Sequence, residues 1–79
     1  MTLLAEAKVG ERGRILQVEG TDEVSIRLLE MGLIPGVEFE FIGVAPLGDP
    51  VEIELRGYRL SLRKSEAARI AIEPINQTS

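Results

Sequence analysis

The stretch Ile26-Arg27-Leu28-Leu29-Glu30-Met31-Gly32-Leu33-Ile34-Pro35-Gly36 decides the fold of this chain, because it stops a helix and turns the backbone at once into a strand. Gly32 lacks a Cβ and accepts the left-handed conformation that ends a helix. With Gly32 just past the cap, Leu33 falls where a Schellman motif sets an apolar residue against Leu28. Ile34-Pro35-Gly36-Val37 then reads as a type II turn, in which proline presets the first central φ and glycine takes φ > 0 at the second. The result is a corner, and the strands on either side are predicted to be built around it.

Upstream, Gly20-Thr21 opens the helix with Thr21 as its N-cap, and Asp22 and Glu23 place negative charge in the first turn, where the helix dipole favours it. Val24, Leu28 and Met31 fall at i, i+4 and i+7 and form one apolar stripe. Ser25, Arg27 and Glu30 lie off that stripe, while Ile26 and Leu29 widen the apolar surface. Before the helix, Arg14 to Glu19 is a first strand. Ile15, Leu16 and Val18 break strict period two there, which predicts a bulge or burial on both faces. Val9-Gly10-Glu11 is a turn. Thr2 to Ala7 offers one helical turn capped by Thr2, with Leu3 or Leu4 pinning the N-terminus to the core.

Downstream of the corner, Val37, Phe39 and Phe41 alternate with Glu38 and Glu40, the pattern of a half-buried strand. From Ile42 to Val44 the apolar positions change parity, so the strand is expected to bend. Ala45-Pro46-Leu47-Gly48-Asp49-Pro50 is a loop, since its prolines and glycine exclude a central strand. Val51 to Leu62 reads as a hairpin about Arg56-Gly57. Leu55 then faces Tyr58, Ile53 faces Leu60 and Val51 faces Leu62, with Glu54 opposite Arg59 and Glu52 diagonal to Arg63. A slip of one residue would break every one of these matches. Lys64 to Ala68 is a single helical turn capped by Ser65, and Arg69 to Glu73 is a last strand ended by Pro74. Residues 74–79 are assigned to a tail. The fold class is therefore mainly β: a small five-stranded barrel with one short inserted α-helix, closed by its first and last strands.

A chain of 79 residues is one domain, and without cysteine or histidine it has no disulfide or Cys/His metal site to staple a thin core. A net charge of −4 argues against gripping nucleic acid by its phosphates, and with Phe39, Phe41 and Tyr58 as the aromatics a base-stacking platform is poorly supplied. The same charge disfavours direct adhesion to anionic lipid. No apolar run approaches membrane-spanning length, and no signal pattern opens the chain, so a cytoplasmic location is expected.

The missing imidazoles and thiols also exclude Ser–His and Cys–His catalysis, and no phosphate-binding glycine loop is present. An enzyme is not expected, nor a cofactor. The carboxylates of Glu38, Glu40, Glu52, Glu54 and Asp49 have two readings: a weak oxygen-only cation site, or a solvated strand face balanced by Arg59 and Arg63. The second is preferred, and no metal ligand is assigned. Arg12, Arg14 and Arg27 are read as solvated charge. Leu33, Ile34, Leu47 and the flanking prolines also have two readings, as core or as a rigid exposed patch for a protein partner.

Taken in order, Arg27-Leu28, Met31-Gly32-Leu33 and Pro35-Gly36, then Ala45 to Pro50, then Gly57, Leu60, Leu62-Arg63, Glu66-Ala67 and Ile70 make the chain resemble the FeoA family from about Leu3 to Glu73. The resemblance implies an SH3-like barrel, a fold also found at the C-terminus of iron-dependent repressors. The chain has no winged-helix portion, so it is closer to the free-standing transport protein. The resemblance further implies an accessory or regulatory role in ferrous iron uptake beside FeoB, a membrane permease with a cytoplasmic GTP-binding domain. The expected contacts with that partner are Leu33, Pro35, Leu47, Gly48, Asp49 and Pro50, held on a frame set by Arg27, Leu28, Gly32, Gly36 and Gly57. A weak homodimer is compatible with this reading. The alternative is a stand-alone metal-responsive regulatory domain that binds a divalent transition metal weakly through carboxylates.

Overall fold

A computed structural model describes residues 2–75. The elements are β1 (Thr2–Leu3), a 3-10 turn (Leu4–Glu6), β2 (Arg12–Val18), α1 (Glu23–Glu30), β3 (Glu38–Val44), β4 (Val51–Leu55), β5 (Tyr58–Leu62), α2 (Lys64–Ala67) and β6 (Ile70–Pro74). The strands form one antiparallel sheet in the order β1-β6-β2-β3-β4-β5. The expected pairing of first and last main strands is present as the β2–β6 ladder. Among the described residues no ladder joins β1 to β5, so the sheet curls into a barrel-like shape without closing.

The corner forms as its residues require. Leu33 N–H donates to Leu28 O at 3.1 Å and Gly32 N–H donates to Leu29 O at 3.0 Å, the two bonds of a Schellman motif. Gly32 has φ +110°, and a Cβ there would run into the Tyr58 hydroxyl. That hydroxyl donates to Met31 O at 2.7 Å, tying the helix end to β5. Val37 N–H then donates to Ile34 O at 3.1 Å across the type II turn, with Gly36 at φ +95°. Leu28 and Leu33 are both fully buried. Burial of such a side chain is worth about 1.5–3 kcal/mol, so this corner is a large part of a thin core.

The hairpin register is the expected one, from Val51↔Leu62 through Ile53↔Leu60 to Leu55↔Tyr58. Arg56 (φ 46°) and Gly57 (φ 86°) both take positive φ, as a type I′ turn demands. The bends in β2 and β3 are bulges, located between Ile15 and Gln17 and between Phe41 and Gly43. The β2 bulge leaves Leu16 exposed while Ile15 stays buried.

Several expectations need correction. The sheet has six strands rather than five, because Thr2 and Leu3 pair with Ile72 and Ala71. Thr2 is therefore a strand residue and not a cap; the following turn is held by Leu3 N–H donating to a Glu6 carboxylate at 2.7 Å, while Leu4 fills the core. The N-cap of α1 is Asp22 rather than Thr21, its carboxylate accepting from Ser25 N–H at 3.2 Å. Ser25 is buried although it lies off the apolar stripe, with its hydroxyl donating to Asp22 O at 2.9 Å. Ser65 lies inside α2, which is capped at Arg63. Pro74 belongs to β6 opposite Gly13, and Ile75 N–H donates to Arg12 O at 2.9 Å, so the tail assignment fails for these two. Residues 76–79 lie outside the described part.

Candidate functional site

Strand directions sort the loops into two ends. The turn around Gly10, the 45–50 loop and the exit after β6 lie beyond the C-terminal end of β3, as the bonds Gly10 N–H to Phe41 O and Ala45 N–H to Pro50 O fix. The corner and the Arg56-Gly57 turn lie at the opposite end. The expected partner contacts are thus split. Leu33 is 0 % exposed and belongs to the core, which removes it from any contact surface. Pro35 is exposed, but it sits at the corner, a seven-residue strand away from Leu47. Gly48, Asp49 and Pro50 remain together with Leu47.

Leu47 is 96 % exposed, and the local chemistry explains why. Gly48 N–H donates to Ala45 O at 2.8 Å, closing a β-turn with Pro46 and Leu47 as its central residues. Asp49 anchors the base of the loop, its carboxylate accepting from Lys64 N–H at 3.0 Å, and the Asp49–Pro50 peptide bond is cis. Val9 (65 % exposed) and Val44 (45 % exposed) share this end of the barrel with Leu47. Beside them is a hollow of about 260 Å³ lined by Gly43, Val44, Ala45, Pro50, Glu52 and Ser61. Sequence reasoning found Leu47 but missed Val9 and Val44. Their only signals were a glycine after Val9 and the change of parity before Val44.

The outer face of the sheet carries the carboxylates, and Glu38, Glu52 and Glu54 each pair with an arginine. In register, Arg12 opposes Glu40, Glu40 opposes Glu54 and Glu54 opposes Arg59, a cross-strand ladder with cations outside and anions within. Glu38 lies 3.8 Å from Arg12 and 3.4 Å from Arg14, and Arg59 lies 3.9 Å from both Glu52 and Glu54. Arg59, rather than the expected Arg63, is therefore the partner of Glu52. Among the described residues no three acidic side chains converge as metal ligands would. Asp49 is drawn away to Lys64.

A second set of charges joins the helices. Glu66, 8 % exposed, accepts from Arg63 N–H at 2.9 Å and pairs with Arg27. Asp22 meets Arg69 at 2.6 Å, and this hydrogen bond, together with the Ser25 N–H, holds the Asp22 carboxyl down at about 2. Arg27 is thus more than solvated charge. The Glu66 contact was legible as a glutamate at the third position of a helix, where it reaches back to the cap.

Residues 2–74 match the model of the FeoA domain family. A fusion protein of Porphyromonas gingivalis that joins Fe(2+) transport protein A to the Fe(2+) transporter FeoB is 37% identical over 76 residues, which is 96% of this chain. The chain spans only 9% of the length of that curated relative. The solution structure of the FeoA protein of Chlorobium tepidum superposes with a TM-score of 0.88 at 32% identity, covering 99% of this chain and 74% of that one. The FeoA of Stenotrophomonas maltophilia, an SH3 domain protein crystallised with zinc, gives 0.81 at 26% identity, covering 92% and 91%. The barrel seen here is accordingly SH3-like. No helix among the described residues is long and apolar enough to cross a membrane.

Proposed function

Since this chain belongs to the FeoA family and so to the proteins of ferrous iron transport, we propose that it is a non-enzymatic accessory of Fe²⁺ uptake that docks on the cytoplasmic GTP-binding domain of a FeoB-type permease. The observation that carries the reading is the covalent union of the two proteins in the P. gingivalis relative. Two partners that share one polypeptide in one organism work side by side, and docking is the free-standing equivalent. The contact surface is the end of the barrel that presents Leu47, Val9 and Val44, with Gly48, Asp49 and Pro50 fixing the loop. Pro35, at the far end, belongs to this surface only if the partner wraps the barrel. A rigid turn that holds an apolar side chain in water costs little entropy on binding, which favours it as an anchor. The protein works in the cytoplasm, where that domain of the permease resides.

A titration against the soluble GTP-binding domain of the permease tests this. Leu47→Glu is expected to weaken binding by about tenfold or more, in the range of a lost anchor residue. Equal binding by variant and parent would remove the loop from the interface.

The zinc in the S. maltophilia relative favours a second reading, weak regulatory binding of a divalent transition metal through Glu38, Glu40, Glu52 and Glu54. The arginines beside these carboxylates oppose it. Calorimetry with Mn²⁺ decides: absence of heat at millimolar metal disposes of it.

A further inference from the structure

We propose that the groove between α1 and α2 is a binding site for a carboxylate side chain of the protein partner. The groove has a volume of about 320 Å³ and is lined by Val24, Arg27, Arg63, Ser65, Glu66 and Arg69. Three arginines thus line one hollow of a chain whose net charge is −4. Arg27 is matched by Glu66 and Arg69 by Asp22. Arg63 has no ion pair among the described residues. Its backbone N–H caps α2 through Glu66, which fixes the base of a side chain whose guanidinium is uncommitted.

The charge balance selects the ligand. Arg27 and Arg69 are committed to Glu66 and Asp22, and Glu19 also acts on Arg69, so Arg63 is the one guanidinium left for a ligand, which suits a monoanion and falls short of a dianionic phosphate. Val24 supplies an apolar wall for the methylenes of a glutamate, and the exposed Ser65 supplies a hydroxyl at the rim. The Arg63 end of the groove lies nearest the proposed docking surface, because the next residue, Lys64, donates its backbone N–H to Asp49 at the base of the 45–50 loop. A partner seated on Leu47 can therefore reach it with an acidic segment. The inference rests on the docking reading for the identity of the partner, but not for the chemistry of the groove.

The test uses the full chain and a short blocked tetraglutamate peptide, followed by ¹H–¹⁵N spectra. Saturable shifts are expected at Val24, Arg27, Ser65 and Glu66. Arg63→Ala should weaken the peptide about twofold to fivefold, the range of one ion pair at an exposed site. The fold survives that change, since the α2 cap uses only the backbone of residue 63. Arg59→Ala, which alters charge on the sheet face instead, should leave peptide affinity unchanged. Equal losses in the two variants, or shifts that avoid the groove, would overturn the proposal. So would inorganic phosphate binding there more tightly than the peptide. Leu47→Glu should not alter peptide binding, so a failure of docking and a failure of this site are separately visible.

Discussion

Two loops of this protein are spelled in nearly the same residues and do opposite things. Gly32-Leu33-Ile34-Pro35-Gly36 hides its leucine completely, whereas Ala45-Pro46-Leu47-Gly48-Asp49-Pro50 leaves its leucine 96 % exposed. Composition does not separate them. Backbone bonding does: the N–H of Leu33 is tied back to Leu28 on the preceding helix, so its side chain is pulled over the core. Leu47 is a central residue of a turn closed by Gly48 N–H on Ala45 O, at a point where the strands have run out. A leucine is therefore placed by where its own peptide groups are anchored, and its hydrophobicity is then used for folding in one case and left facing solvent in the other.

The sharpest way to break this contrast is Leu33→Ala, which leaves a cavity in the core and should cost about 2–5 kcal/mol in urea unfolding. Tyr58→Phe removes the bond that ties the helix end at Met31 to β5, and should cost about 0.5–1.5 kcal/mol by the same measurement. The other end of that helix gives a smaller, pH-dependent effect. Asp22 has its carboxyl lowered from 3.8 to about 2, so its contribution is complete above pH 4 and is lost as the pH falls toward 2. In Asp22→Asn, the decline in urea midpoint across that window should flatten relative to the parent. Smallest of all, Leu47→Ala should shift stability by less than about 0.5 kcal/mol, despite deleting the same atoms as Leu33→Ala. If the two leucine variants lost similar stability, the contrast would be void.

What could be read from the chain beforehand follows the range of the interactions. The corner and the β4–β5 hairpin were legible because each is specified by neighbours: Gly32 and Gly36 by the φ they must adopt, Ile53 and Leu60 by a pairing only seven residues apart. The pairing of Thr2 with Ile72 was not, since two residues carry too little pattern to announce a partner at the other end of the chain. Capping was legible only approximately. Thr21 and Ser65 are good cap residues by type, yet Asp22 prevails because Arg69 and Ser25 reward it, and Arg63 because Glu66 reaches its N–H. The candidate site suffered most. Leu33 and Leu47 carry equal hydropathy and similar neighbours, and Val9 gathers with Leu47 only once β2 and β3 are paired.

The β6 ladder has one more consequence. Ile75 leaves the barrel hydrogen-bonded to Arg12, at the same end as Leu47. A domain attached downstream would start its path at the end of the barrel that carries the 45–50 loop, so a short tether would hold the two at millimolar effective concentration, a regime in which a weak contact stays closed most of the time. Under the proposed docking, covalent fusion and free association would be interchangeable, with a linker doing in one protein what affinity would do in the other.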